Sequence, residues 1–425
     1  VSRRPGLGPN FGKLWAAASV STVGDGITIT AGPLLAATLT RDPLQIGLVG
    51  AAAFLPWVLV GLVSGALVDR LDRRRLMWTV DLARAAVLAG LAGAVLAGWA
   101  SIPLLVVGAF LLGVGQTLFD SAAQASIPAM VGREDDRLPR ANGRLQGAQT
   151  VGQQFVGPPA GGALFSLAPW LPYAADALSF AGSSALVSRI RGRFSVEPAG
   201  PRRPLRADIA EGLRWLLRHR LLRGLAIQAA VANLVFTGAE VTLVLLAQDR
   251  LGLGNVGYGL MLSGGAVGAV AGSLLAARVT AWWGESRTFV TTVVLVVASL
   301  LAVGTTSSPW VAAGGFALSG GCVAIANVLI QSLRQALTPP RLLGRLVAAY
   351  RLIGLGAIPV GALLGGLVGR VDLRLPWLLG AGVMAVAGLA AMRLLRRGAI
   401  ERARAAVTGT EAGNPDEGAK PAALP

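Results

Sequence analysis

Apolar stretches of 18 or more residues recur from one end of this chain to the other, and they restrict its fold more than any other feature. Each is long enough for a helix to cross a hydrocarbon core about 30 Å thick, where every backbone N–H and C=O must be bonded within the segment. The pattern predicts helices at 13–40, 44–69, 75–98, 102–130, 141–167 and 172–190. A second set follows at 223–249, 256–281, 287–305, 309–337, 344–370 and 373–395. The predicted fold is an all-α integral membrane protein of twelve transmembrane helices in two pseudo-symmetric six-helix bundles. The bundles occupy 1–190 and 223–395, joined by a cytoplasmic linker at 191–222 and followed by a disordered tail at 396–425. The linker carries Pro198, Pro201, Pro204 and the basic stretch Leu213–Arg218, which predicts a short amphipathic helix at the membrane surface.

With 54% hydrophobic and only 14% charged residues, the chain has too little charge to cover a soluble surface of this size. Its formal charge of +17 suggests a nucleic-acid partner, but the charges sit between apolar runs rather than along one groove, so none is expected. They set an orientation instead. With the N-terminus inside, only Arg41, Arg250, Arg370 and Arg374 face out and Arg84 lies within the third helix, while the remaining basic residues are cytoplasmic. Both termini are therefore expected in the cytoplasm of a cell-membrane protein. Trp99, Trp170, Trp310 and Trp377 mark the outer interface in this reading.

Chemistry has little to work with. The single Cys322 falls in an apolar run and reads as a packed small side chain, and the single His219 reads as a solvated surface histidine. No Cys/His zinc cluster can form, and neither Lys13 nor Lys420 sits in a phosphate-binding loop. No catalytic residue, metal or cofactor is expected, and the chain does not read as an enzyme.

The halves are weakly self-similar. Arg144 through Pro158 aligns without gaps on Arg345 through Pro359, and Asp120 and Gln124 align on Asn327 and Gln331. Parallel repeats related by an axis along the membrane normal build transporters whose binding cavity lies between the halves. Asp120, Gln124, Asn327 and Gln331 are thus cavity-lining candidates, each pair on one helix face at i, i+4. The same spacing logic pairs Asp81 with Arg84, three apart near the cytoplasmic end of the third helix, in a structural or gating role.

The loop after the second helix runs Gly65-Ala66-Leu67-Val68-Asp69-Arg70-Leu71-Asp72-Arg73-Arg74. Its spacing G-x-L-x-D-R-x-x-R-R resembles the signature of the major facilitator superfamily at this loop. The resemblance implies that fold, and a cytoplasmic latch built from Gly65, Asp69, Arg70, Arg73 and Arg74. Asp72 stands where glycine is usual, which leaves the turn geometry open. In helix five, Gly157-Pro158-Pro159-Ala160-Gly161-Gly162 predicts a kinked, closely packed segment. It resembles the core of the drug:proton antiporter signature through Gly157, Pro158, Gly161 and Gly162, although Gln153 replaces an upstream glycine. With Leu138–Gly143 and Gly24-Asp25-Gly26, the resemblance points to the subgroup of enterobactin, macrolide and multidrug exporters.

A carboxylate at bilayer depth costs about 2.5–3.5 kcal/mol and needs a reason. Asp25 lies 12 residues after Lys13, about 18 Å along a helix, and Glu240 lies in the pseudo-symmetric seventh helix. Both are candidates for proton coupling or for binding a cationic substrate. Asp176, near the outer end of helix six, reads as structural. The expected function is proton-coupled efflux of small amphipathic molecules by a monomer surrounded by membrane lipid. The alternatives are a proton symporter importing a small solute, or a non-transporting lipid-binding or assembly subunit.

Overall fold

The computed structural model describes residues 7–68, 70–132, 136–192, 205–338 and 340–394. Its first half contains α1 (Pro9–Leu39), α2 (Pro43–Leu59), α3 (Gly61–Val68), α4 (Arg73–Leu96), α5 (Ile102–Val131), α6 (Arg137–Gln149), α7 (Gly157–Leu167) and α8 (Leu171–Ser188). The second contains α9 (Leu205–Arg218), α10 (Arg220–Asp249), α11 (Asn255–Trp283), α12 (Glu285–Thr305), α13 (Pro309–Ala336), α14 (Pro340–Gly369) and α15 (Leu375–Leu394). Helices α2 and α3 make one span, as do α6, a π-helical stretch at Thr150–Val156, and α7. Each half therefore supplies six spans, and α9 is the amphipathic linker helix. The boundaries fall within a few residues of those the apolar runs predict, except for the interruptions in the second and fifth spans.

Eight helices are each long and apolar enough to cross a membrane alone: α4, α5 and α10 to α15. The other four spans all belong to the first bundle. Two of them are interrupted, while α1 and α8 carry polar residues such as Thr22, Asp25, Thr28, Asp176, Ser179 and Ser183. These polar positions are tolerated because they face protein, as the site geometry shows.

Packing depends on glycine, because in lipid helix association relies on close van der Waals approach rather than hydrophobic burial. A Cβ on Gly26 of α1 would lie 2.6 Å from the Gln153 carbonyl oxygen, and one on Gly161 of α7 would lie 2.6 Å from the Ile27 carbonyl oxygen. Within the second bundle, Gly365 of α14 rests on the backbone of Gly238 in α10. The two bundles meet along α2 with α14 and α7 with α11. There Gly162 rests on the Asn255 backbone, Gly259 on the Pro158 carbonyl, and a Cβ on Gly366 would come 2.8 Å from Leu44 Cα. The adjacent pairs Gly161-Gly162 and Gly365-Gly366 thus do the same job in each half. The first glycine seats its own bundle's opening helix and the second seats the opposite bundle.

Two expectations are corrected. Trp377 is not an interfacial residue: it is 2% exposed, and its indole N–H donates to Thr242 Oγ1 at 3.1 Å. Trp99 and Trp310, at 78% and 84% exposed, do occupy the surface. His219 is half-buried beside Trp215 and caps α10, its Nδ1 accepting from the Leu222 N–H at 3.4 Å. Cys322 is buried as expected. Helix α9 docks on α14 through buried Leu216, the close approach of Gly212 to Arg345, and a Glu211–Arg345 ion pair at 2.9 Å.

Candidate functional site between the bundles

The polar contacts that join the bundles gather at the end remote from the arginine-rich loops. Arg370 donates to both carboxylate oxygens of Asp42 at 2.8 and 2.6 Å, and Arg41 pairs with Asp249 at 3.2 Å and with Gln248 at 3.0 Å. Deeper in, Asn255 donates to Ser166 and Ser263 donates to the Phe155 carbonyl at 3.1 Å. Two of the four arginines that break the positive-inside bias therefore bridge the bundles. A third, Arg250, donates to the Thr305 and Thr306 carbonyls within its own bundle. The bundles are thus tied together at the arginine-poor end, while Gln124, Asn327, Gln331 and Arg351 are exposed.

Asp42 also caps α2, accepting from the Leu44 N–H at 3.0 Å. The hydrogen bonds from Arg370 hold its carboxyl below the usual carboxylate value. A depressed carboxylate pKa keeps the pair intact above the ordinary value, and the pair is lost only as pH falls through the lowered one. The latch is thus no sensor at about pH 5–8. Asp42→Asn should raise the labelling rate of a cysteine introduced by Leu44→Cys, using a membrane-impermeant reagent. It should leave the midpoint of any pH–transport profile in that range unmoved.

Asp25 sits between two glycines because neither neighbour has room for a side chain. Gly24 faces Asp176 and Ser179 of α8, and Gly26 faces the π-helical stretch at Gln153. This makes Asp25 a partnered acid rather than a free one. Arg84 of α4 donates through Nη2 to Asp25 at 2.7 Å and to Gln116 Oε1 of α5 at 2.6 Å, with its guanidinium 3.7 Å above the Phe180 ring. Gln116 in turn donates to Asp120 at 3.0 Å. The expected Asp81–Arg84 pair is only a loose contact at 3.8 Å, because Arg84 reaches across to α1 and Asp81 accepts from Ser183 at 2.6 Å. Asp120 accepts from Gln116 one turn back on the same helix, while Gln124 is exposed. Asp176 accepts from Thr28 and Ser179 and ties α1 to α8, as its structural reading requires.

Four carboxylates, Asp25, Asp81, Asp120 and Asp176, thus surround Arg84 in one bundle. Across the cavity, Arg351 of α14 lies within electrostatic range of Asp120. Glu240 is different. It is exposed although residues 241–247 are buried on every side of α10, so it opens into the space between the bundles rather than toward lipid. Tyr258 of α11 lies within its electrostatic range. The two proposed acids thus stand on different bundles, Asp25 on α1 with Arg84 and Glu240 on α10. Gln116 and Arg351 were missed by sequence reasoning; the i, i+4 spacing of Gln116 to Asp120 is a signal that could have found the first.

Of the latch motif, Gly65 lies in α3, Asp69 lies outside the described residues, and Arg70 is exposed. Arg73 is buried and donates to the Ala125 carbonyl of α5 at 2.7 Å, while Arg74 donates to the Ile190 carbonyl at 2.9 Å. These contacts hold α4 to its own bundle. Asp72 resolves the open question of the turn: it caps α4 by accepting from the Arg75 N–H at 3.0 Å.

Known proteins agree with this architecture. The chain is 29% identical over 415 residues to the multidrug efflux pump Tap of Mycobacterium tuberculosis, covering 92% of this chain and 94% of Tap. A bacterial homologue of the iron transporter ferroportin, solved in an inward-facing state, superposes with a TM-score of 0.73 at 17% identity over 90% of this chain and 98% of that one. An outward-facing structure of a bacterial ferroportin homologue gives 0.56 at 19% identity over 91% and 99%. The family described as transmembrane secretion effector matches residues 5–411, so this chain belongs to that family of the major facilitator superfamily.

Proposed function

We propose that this chain exports small amphipathic compounds, drugs or related metabolites, in exchange for protons. Its arginine-rich end then faces the cytoplasm of a cell membrane. The observation that carries the reading is the Asp25–Arg84–Gln116–Asp120 chain, which links a buried ion pair on α1 and α4 to a carboxylate at the cavity. Release of Arg84 from Asp25 is a discrete two-state event, and proton binding at Asp25 competes with that ion pair. Tap carries the name of a multidrug efflux pump and shares most of its length with this chain, which supports export over import. The exposure of Glu240 on α10 supports contact with a cationic cargo. The protein works as a monomer in lipid, since both candidate gates lie within one chain.

The energetics suffice. One charge crossing 100 mV releases about 2.3 kcal/mol, which sustains a roughly fiftyfold gradient. In an efflux-deficient host, expression should lower accumulation of ethidium and of several antibiotics by about an order of magnitude, and a protonophore should abolish the difference. Unchanged accumulation of every compound would count against export. A protonophore-insensitive difference would count against proton coupling.

A further inference from the structure

Two arginines of the second bundle lack the oxygen partner that others in this fold have. Arg73 and Arg74 donate to main-chain carbonyls, Arg84 holds Asp25 and Gln116, and Arg345 pairs with Glu211. By contrast, the Arg334 guanidinium lies 4.8 Å above the Tyr350 ring, and its Nε is buried without a hydrogen bond. Arg351 is exposed, and among the described residues it has neither a hydrogen bond nor an ion pair. Asp120, which lies within its electrostatic range, already accepts from Gln116 in its own bundle.

Depth makes the second of these arginines costly. The membrane-crossing stretch of α14 begins at Leu342, and Arg351 lies about 14 Å along the helix from there. A charge within a span calls for a partner and marks a site by default. Proximity to Asp120 on α5 turns Arg351 toward the first bundle rather than toward lipid. The repeat shows that the charge does not come with the shared architecture. Arg351 aligns on Thr150 and Tyr350 on Gln149, while Arg334 falls on Ile127 in the register that pairs Asp120 with Asn327. The halves thus differ in sign: acids gather in the first around Arg84, and unpaired arginines stand in the second.

Tyr350 gives the pair a fixed geometry. Its hydroxyl donates to the Leu225 carbonyl of α10 at 3.3 Å, which holds the ring beneath Arg334. A guanidinium over a ring face keeps its N–H donors for an anion, and its planar fork suits a carboxylate. Gln331, one turn before Arg334 on the same helix face, is exposed and adds an amide.

We propose that Arg334 and Arg351 bind the carboxylate of an amphipathic cargo, Arg334 meeting it near the arginine-rich end and Arg351 holding it deeper in the span. The ligand is a soluble acid, zwitterions included, because a lipid headgroup stays at the interface while Arg351 lies well inside it. The name cargo rests on the export reading, whereas binding is measured without transport, so either can fail alone.

The test compares 2-naphthoate with its uncharged isostere 2-naphthamide. Each is titrated calorimetrically into the purified full-length protein in phosphatidylcholine nanodiscs, with empty nanodiscs as the blank. Wild type should bind naphthoate with a Kd about tenfold below that of naphthamide, the value of charge-assisted hydrogen bonds to one carboxylate. Arg351→Gln should bring the two within about twofold, and Arg334→Gln should leave about a threefold preference. Arg351→Lys should restore part of the preference that glutamine removes, which a purely structural role would not do. Arg214→Gln, at an exposed arginine of α9, should leave it at about tenfold. The wild-type comparison stands even if no variant folds. Absent binding of naphthoate, or equal affinities in wild type, overturns the proposal and leaves Arg351 as a counter-charge for Asp120. So does a preference that survives when both arginines are replaced by glutamine.

Discussion

Replacing Arg84 with leucine should abolish transport and sharply reduce the folded protein recovered, whereas Asp25→Asn should abolish transport alone. Arg84 is 5% exposed and serves Asp25 and Gln116 through one nitrogen, so its removal leaves the Asp25 carboxylate in the bundle without its counter-charge. Breaking a buried pair from one side typically costs about 3–5 kcal/mol, enough to deplete most membrane proteins of marginal stability. Asparagine keeps the shape of Asp25 and leaves Arg84 with Gln116 and the looser Asp81 contact, so the fold survives while the titratable group is gone. Arg84→Lys should fall between, because an ammonium can serve Asp25 and Gln116 from its one nitrogen but lacks the guanidinium plane that stacks on Phe180. Leucine at both 25 and 84 should recover much of the folded yield, since an apolar pair of similar volume replaces a buried ion pair at little cost. Size-exclusion profiles and thermal melting report the fold, and proteoliposomes with an imposed pH gradient report coupling. Gradient-driven transport at wild-type rate by Asp25→Asn would remove Asp25 from the mechanism.

Two adjacent glycines should give opposite phenotypes. Gly365 rests on the backbone of Gly238 within its own bundle, closer than any Cβ can approach backbone, so Gly365→Ala must separate α14 from α10. Overpacking against backbone costs about 1–3 kcal/mol or more, and the expected result is a loss of folded protein. Gly366 faces the other bundle, where a Cβ would lie 2.7 Å from the Pro43 carbonyl oxygen and 2.8 Å from Leu44 Cα. That overlap exists only while the cavity is closed at this end. Gly366→Ala should therefore fold normally but favour the conformation open at the arginine-poor end, by the same penalty. Spin labels placed on α2 and α14 should report longer distances for this variant, with melting temperature little changed. The matching pair in the first half predicts the same split, Gly161→Ala harming the bundle and Gly162→Ala opening the interface with α11. If both members of a pair behave alike, the division of labour between them is wrong.

The site was partly legible from the chain. Acids at bilayer depth announced themselves because each is costly there, which is why Asp25 and Glu240 could be singled out. Their partners could not be, since spacing along one helix reports only neighbours on that helix. It suggested Asp81 for Arg84. The fold instead brings α1 and α5 to α4, so that Arg84 reaches Asp25 and Gln116. Arg351 read as one more basic residue inside, and only the opposition of α14 to α5 sets it near Asp120. Trp377 looked interfacial by its place near a helix end, yet Thr242 of α10 offers its N–H a partner in the core.

What the sequence determined by itself is the set of spans, their grouping into two related halves, and the superfamily. These follow from local quantities: the length of apolar runs, their repeat, and one loop motif. Which charges pair and which glycine seats which bundle were decided by tertiary structure. They depend on distances between helices far apart in the chain, and in a lipid-spanning bundle the same apolar composition is compatible with many such arrangements.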